Sequence, residues 1–148
     1  MMRMLRYIVL TTILLLAASC GAGRHGAAAA GAMPLPDKGQ VWQLVSMRGR
    51  DVKSGDMVTL VFNPDGGFLH GMAHCNSYYA ECMIRSDGGR YSLKLSNMTE
   101  GSIRCPDAVM NAQFRYTALL MKADAMEVTA YTLTLYSKGK EILKFELQ

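Results

Sequence analysis

Between residues 41 and 147 the chain alternates apolar and polar residues with a period of two, in short runs separated by turn-forming residues. No other feature constrains the fold as much, because successive strand residues face opposite sides and such a run buries only one face. Trp42 and Leu44 share a face in the first run, and Val58, Leu60 and Phe62 share one in Met57 to Asn63. Asn63-Pro-Asp-Gly-Gly then tolerates a tight turn. Phe68 to His74 and Asn76 to Ile84 form the next extended stretch, interrupted at Gly71. After the turn residues Ser86-Asp-Gly-Gly, Arg90 to Leu95 places Tyr91, Leu93 and Leu95 together. Met126 to Ser137 and Lys140 to Leu147 read as two strands joined at Ser-Lys-Gly.

The period changes once. After Cys105, Pro106 suits a first helical position and Asp107 complements the helix dipole, while Val109, Gln113, Tyr116 and Leu120 recur at helical spacing. A stripe of Met110, Phe114 and Met121 lies beside that face and reads as core packing. The expected class is therefore α+β and β-dominated, with about six or seven antiparallel strands and one helix. Free sheet edges invite association, so the sheet should curl into a cracked β-barrel with the helix over an opening.

Ahead of this domain, Arg3 and Arg6 precede an apolar run from Tyr7 to Leu16 and the small residues Ala17, Ala18 and Ser19. That layout is a signal peptide, and a run near ten residues falls short of the roughly twenty a membrane-spanning helix needs. The small residues before Cys20 resemble the lipobox of bacterial lipoproteins, although Ala17 stands where a Leu is usual. The resemblance implies lipidation of Cys20 and cleavage before it, and acyl chains there would anchor the chain to the membrane. Residues 1–19 are thus expected to be a lipoprotein signal peptide, 20–36 a flexible Gly/Ala/Pro tether, and 37–148 one domain large enough to bury a core. Gly21 lacks the acidic character that retains some lipoproteins at an inner membrane. The expected location is the bacterial cell envelope, anchored at the outer membrane and facing the periplasm.

The formal charge of +4 falls to +2 once Arg3 and Arg6 leave, and the remaining Lys and Arg form no run. Such charge reads as solvated surface and excludes a nucleic-acid partner. Cys75, Cys82 and Cys105 belong to an exported domain where oxidation is permitted, so one disulfide and one free thiol is the simplest arithmetic; burial of all three as small apolar residues is the alternative. His70, His74, Cys75 and Cys82 carry zinc-ligand chemistry, but strand residues four apart sit roughly 13 Å from one another, so no metal or other cofactor is expected. His74 and Cys75 as strand neighbours would face opposite ways, which gives a cysteine nucleophile no base. No nucleophile elbow, phosphate loop or helical metalloprotease motif occurs. Asn76 reads as structural, bonding backbone near a turn. Of the adjacent Tyr78 and Tyr79, one should face the core and the other solvent.

Gly71-Met-Ala-His-Cys-Asn-Ser-Tyr78, followed by Ala80, resembles the Gly-x-x-Gly-Cys-Asn-x-Tyr pattern of the META domain family, the heat-shock-lipoprotein-like small domains of bacterial envelopes. Trp42-Gln-Leu with Gly49 resembles the family's opening motif and Cys105-Pro-Asp its second-cysteine motif. Thr132 to Leu135 with Gly139 to Phe145 is similar to its closing hairpin. Four positions depart from the pattern: His74 replaces a usual Gly, Cys82 an aromatic, Gly101 a Thr, and Gln113 a frequent Glu. Cys75 and Cys105 occupy the family's two cysteine positions, which implies their disulfide and leaves Cys82 as the free thiol. Closing that loop of about thirty residues would stabilise by roughly 3 to 4 kcal/mol. A Cys75–Cys82 pair on one strand would have to span roughly 23 Å.

The resemblance implies Gly71, Cys75, Asn76 and Tyr78 as structural or binding positions, and roles in envelope stress or surface interactions. The expected function is a non-enzymatic envelope lipoprotein whose domain binds a protein or a small apolar ligand or supports the envelope. Its membrane contact is expected through the N-terminal lipid. Two alternatives remain: an inhibitor of a protease or lysozyme-type hydrolase that inserts the Asp65-Gly-Gly or Asp87-Gly-Gly loop, and a redox or metal sensor built on Cys82.

Overall fold

The computed structural model describes residues 35–53, 57–87 and 90–148. The expected signal segment 1–19, Cys20, the tether up to residue 34 and the Gly88-Gly89 tip lie outside the described residues. Leu35 packs on the core and Pro36 is buried.

Among the described residues, nine strands and one helix follow in the order β1 (Val41–Met47), β2 (Arg50–Asp51), β3 (Thr59–Asn63), β4 (Phe68–Ala73), β5 (Asn76–Asp87), β6 (Arg90–Glu100), α1 (Asp107–Leu120), β7 (Ala125–Val128), β8 (Thr132–Ser137) and β9 (Lys140–Leu147). Every pairing is antiparallel, and the sheet runs from β1 through β3 to β9 in chain order. The first and last strands of that series then pair with each other, with Trp42 opposite Leu147 and Leu44 opposite Phe145. Eight strands thus close a barrel, and closure removes the open edges that would template association. The two-residue β2 is an appendage on β1.

The period-two reading accounts for the interior. β1 buries Trp42, Leu44 and Ser46, and β3 buries Leu60 and Phe62. Leu69, Leu133, Leu135, Leu143 and Phe145 complete a continuous core at essentially zero exposure. Each such side chain contributes about 1.5–3 kcal/mol by leaving water.

Four local expectations are corrected. The run Met126 to Ser137 is two strands rather than one, because the Thr129 hydroxyl accepts from the Thr132 and Tyr131 amides at 2.9 and 3.2 Å and turns the chain with no Gly, Pro, Asn or Asp at the bend. This turn raises the six or seven expected strands to the eight of the barrel. The hairpin β1–β2 carries no period-two signal because its second strand has only two residues, both exposed; its turn, Arg48-Gly49, has φ of 52° and 72°. The stretch Phe68 to Ile84 breaks at His74-Cys75 rather than at Gly71. Gly71 lies inside β4, where a Cβ would come within 2.0 Å of the Thr59 carbonyl oxygen. Finally, Phe114 and Met121 are not core residues, being 56% and 37% exposed.

The helix explains that last correction. α1 buries Gln113, Tyr116, Thr117, Leu119 and Leu120, and the Tyr116 ring packs edge-on against Tyr78 and Phe145 of the barrel. The buried face is narrow, so the neighbouring row through Phe114 and Met121 points into solvent. The helix covers the barrel as expected.

Candidate functional site

The residues that carried the sequence motif meet in one place and are consumed by it. β4 and β5 join through His74 and Cys75, with Ala73 paired to Asn76. The segment 101–106, which leads from β6 into α1, lies across this turn and is held there by the Cys75–Cys105 disulfide, with Cα atoms 6.2 Å apart. Asn76, 1% exposed, brackets the same segment from both sides. Its Oδ1 accepts from the Ile103 amide at 2.8 Å, and its Nδ2 donates to the Ile103 carbonyl at 3.0 Å. The Asn76 backbone amide and Nδ2 both donate to Gln113 Oε1, at 3.1 and 3.2 Å, and Gln113 Nε2 donates to Glu100 at 2.7 Å. An amide is the side chain that can accept from Asn76 and donate to a carboxylate at once. The Glu frequent at this position in the family pattern would instead oppose Glu100.

Tyr78 closes the lock from inside the barrel. Its hydroxyl donates to the Thr59 carbonyl at 2.8 Å and lies 2.7 Å from the Tyr116 hydroxyl, which therefore donates to it. Burial pushes both phenols above their ordinary range, so both stay protonated. Tyr79 faces outward at 40% exposure against 3% for Tyr78, so the two tyrosines divide as expected. His74 holds φ at 62°, a left-handed conformation that suits the Gly of the family pattern better than a histidine. Gly71, Cys75, Asn76 and Tyr78 thus build the fold.

The histidines and cysteines do not converge. His70 lies on the outer face of β4, against the Phe68 ring, and lines a shallow polar cleft of about 410 Å³ with Tyr79, Thr99 and Glu100. His74 lies on a different surface. Cys82 is free, 8% exposed and packed in the core, and burial raises its thiol pKa, which disfavours the reactive thiolate. Among the described residues no three His, Cys, Asp or Glu side chains form a metal-holding group. The Asp65-Gly-Gly loop is a compact turn, with the Gly66 amide donating to Asn63 Oδ1 at 3.1 Å and the Gly67 amide to the Pro64 carbonyl at 3.2 Å. On the barrel wall, Glu127 joins Arg90 and Tyr136, whose ring lies 4.6 Å beneath the guanidinium. The Tyr136 and Arg90 hydrogen bonds lower the Glu127 carboxyl pKa, and burial with the Glu127 contact raises the Tyr136 phenol to about 12.

The surface with ligand-binding character takes Leu44 and His74 from the motifs and is otherwise built of residues that no motif marked. Between the β1–β2 hairpin and α1 runs a groove of about 660 Å³, within the size range of small-molecule sites. Its floor is Leu44, Met47, Val52 and Leu119. Its rim carries Arg48, Arg50 and Lys53 from the hairpin side, Arg115 from the helix and Lys122 from the turn that follows it, against the single carboxylate of Asp51 among the lining residues described. All five cations are exposed, and none forms a salt bridge among the described residues, where Arg90–Glu127 is the only ion pair. The hairpin is held in place by the Arg48 amide on the Ile142 carbonyl and the Val52 amide on the Val45 carbonyl, both at 2.9 Å. On the helix, Ala112, Arg115 and Leu119 recur at spacings of three and four and so face the hairpin as one stripe, which Lys122 continues in the turn after the helix. The charges read from sequence as scattered are gathered here by the fold.

Comparison with known proteins bears on the fold and the family. No curated protein matches. Two solution structures are similar: an NMR structure of a protein from Burkholderia xenovorans has a TM-score of 0.58 at 19% identity, over 75% of this chain and 83% of that one. A second NMR structure has a TM-score of 0.53 at 22% identity, over 73% of this chain and 88% of that one. At such identities the likeness extends to the fold alone. The META domain model matches residues 35–148, most of the chain and all ten elements described above. The protein belongs to the META domain family.

Proposed function

We propose that this protein is a non-enzymatic binding module, held at the bacterial envelope membrane by a lipid on Cys20, with the groove between the β1–β2 hairpin and α1 as its ligand surface. One observation carries the reading: the groove combines an apolar floor with five cationic side chains that form no ion pair among the described residues, whereas Asn76, Gln113 and Tyr78 are committed to internal bonds. A buried apolar floor supplies affinity and a polar rim supplies orientation and choice of ligand. The Arg3/Arg6 segment, the small residues before Cys20 and the tether support the anchored placement, facing the periplasm from the outer membrane.

Native mass spectrometry of the protein extracted from its own envelope tests this. The expected result is an acylated chain beginning at Cys20 that carries a non-covalent small molecule, lost in the variant Arg48→Glu/Arg115→Glu. An unacylated chain with no adduct contradicts it, as does a hydrolytic activity abolished by a single side-chain change.

A further inference from the structure

We infer that the groove binds the headgroup region of an anionic phospholipid, with the phosphate on the arginine rim and the first methylenes of the acyl chains on the floor. The inference rests on the reading of the groove as the ligand surface and adds the chemistry of what fills it.

Charge supplies the first part of the argument. Five cations face one described carboxylate across a surface built from two elements, so the potential between them is positive and an anion is drawn in. Three of the five are arginines, whose planar guanidinium forks match phosphate oxygens in pairs, and Arg48 and Arg115 belong to the two elements that flank the groove. A phosphoryl group between them satisfies both without desolvating either completely.

The floor supplies the second part. Leu44 and Leu119 are core residues whose edges reach the groove, and Met47 and Val52 are half-buried beside them. A purely ionic ligand such as inorganic phosphate would leave this apolar surface wet, while a ligand carrying methylenes gains affinity with each one it buries there. On the helix wall Ala112 and Ala118 are short, which leaves room for a chain between the backbone of α1 and the hairpin. An acidic peptide would meet the same charges, but its backbone would lay polar groups on the apolar floor without partners. Phosphate joined to acyl chain satisfies rim and floor together.

The test is a titration of the full chain, read by amide chemical shifts, with dihexanoyl phosphatidylglycerol below its micelle concentration. The comparison arms are dihexanoyl phosphatidylcholine, inorganic phosphate and a polyglutamate peptide. The expected result is saturable binding of the anionic lipid that shifts Leu44, Met47, Val52 and Leu119, at least about tenfold tighter than the zwitterionic lipid or phosphate alone. Arg48→Glu/Arg115→Glu should weaken it by a further tenfold or more while leaving the melting temperature unchanged. Equal binding of the two lipids, or tighter binding of the peptide or of phosphate, overturns the assignment. Absence of shifts with the lipid while native mass spectrometry still finds an adduct sensitive to Arg48→Glu/Arg115→Glu overturns the lipid chemistry alone and leaves the groove as the ligand surface. Absence of both overturns both.

Discussion

The lock at the β4–β5 turn and the groove beside α1 use the same helix in opposite ways. In the lock, Asn76, Gln113 and Tyr78 are buried, each hydrogen-bonded inside the protein, and a disulfide fastens the segment they hold. In the groove, Arg48, Arg50, Lys53, Arg115 and Lys122 are exposed and unpaired among the described residues. A satisfied network stabilises and leaves nothing for a partner, and unsatisfied charge over an apolar floor is free to bind. Substitutions should therefore separate cleanly, costing stability in the lock and binding in the groove.

The largest stability effect is expected from the disulfide. Replacing Cys75 and Cys105 with Ala should cost about 3–4 kcal/mol, the entropy released to an unfolded chain no longer closed over a 30-residue separation. Urea unfolding should show a lower midpoint, and reducing agent should reproduce the loss in the unmodified protein. Next comes Asn76→Ala, which strips partners from both backbone groups of Ile103 and leaves Gln113 Oε1 with one donor fewer, for about 2–3 kcal/mol by the same assay. Gln113→Glu should destabilise by about 1–3 kcal/mol at neutral pH, because the new carboxylate opposes Glu100, and the loss should shrink as pH falls toward about 4, since burial and the facing carboxylate hold the new carboxyl's folded-state pKa above its unfolded value.

The tyrosine pair sets the behaviour in alkali. Tyr78 and Tyr116 titrate above their unfolded value, so above pH ~10 the unfolded chain loses protons that the folded chain keeps. Their contribution is complete below pH ~10, and stability should fall as pH rises past it; Tyr78→Phe/Tyr116→Phe should flatten that slope in pH-dependent thermal melts. The smallest effect is a gain: His74→Gly should stabilise by about 0.5–1 kcal/mol, because glycine adopts φ of 62° at less cost. A loss at that position would show that the histidine's contacts outweigh its backbone strain.

The comparison also explains what the sequence could reveal. A period of two survives in any strand with one buried face, which is why the segments around Trp42, Leu60, Leu93 and Phe145 were legible. The turn at Thr129 was not, since a hydroxyl replaces the usual turn residues. The exposure of Phe114 has no sequence signal, because helical spacing says which residues share a row and not how wide a face the barrel covers. The lock was half legible: the cysteine pair followed from the family resemblance, but the amide contact between Asn76 and Gln113 joins residues 37 positions apart and has no local signature. The groove was not legible as a surface, because its cations lie in two stretches, 48–53 and 115–122, that only the closed barrel and its helix bring together.

The separation of lock from groove is tested most directly by native mass spectrometry of three proteins taken from the same envelope: wild type, Asn76→Ala and Arg48→Glu/Arg115→Glu. The account predicts a small-molecule adduct on the first two and none on the third, with only Asn76→Ala unfolding at lower temperature. Retention of the adduct by Arg48→Glu/Arg115→Glu, with loss of it in a folded Asn76→Ala protein, would contradict the account and move the ligand surface to the lock.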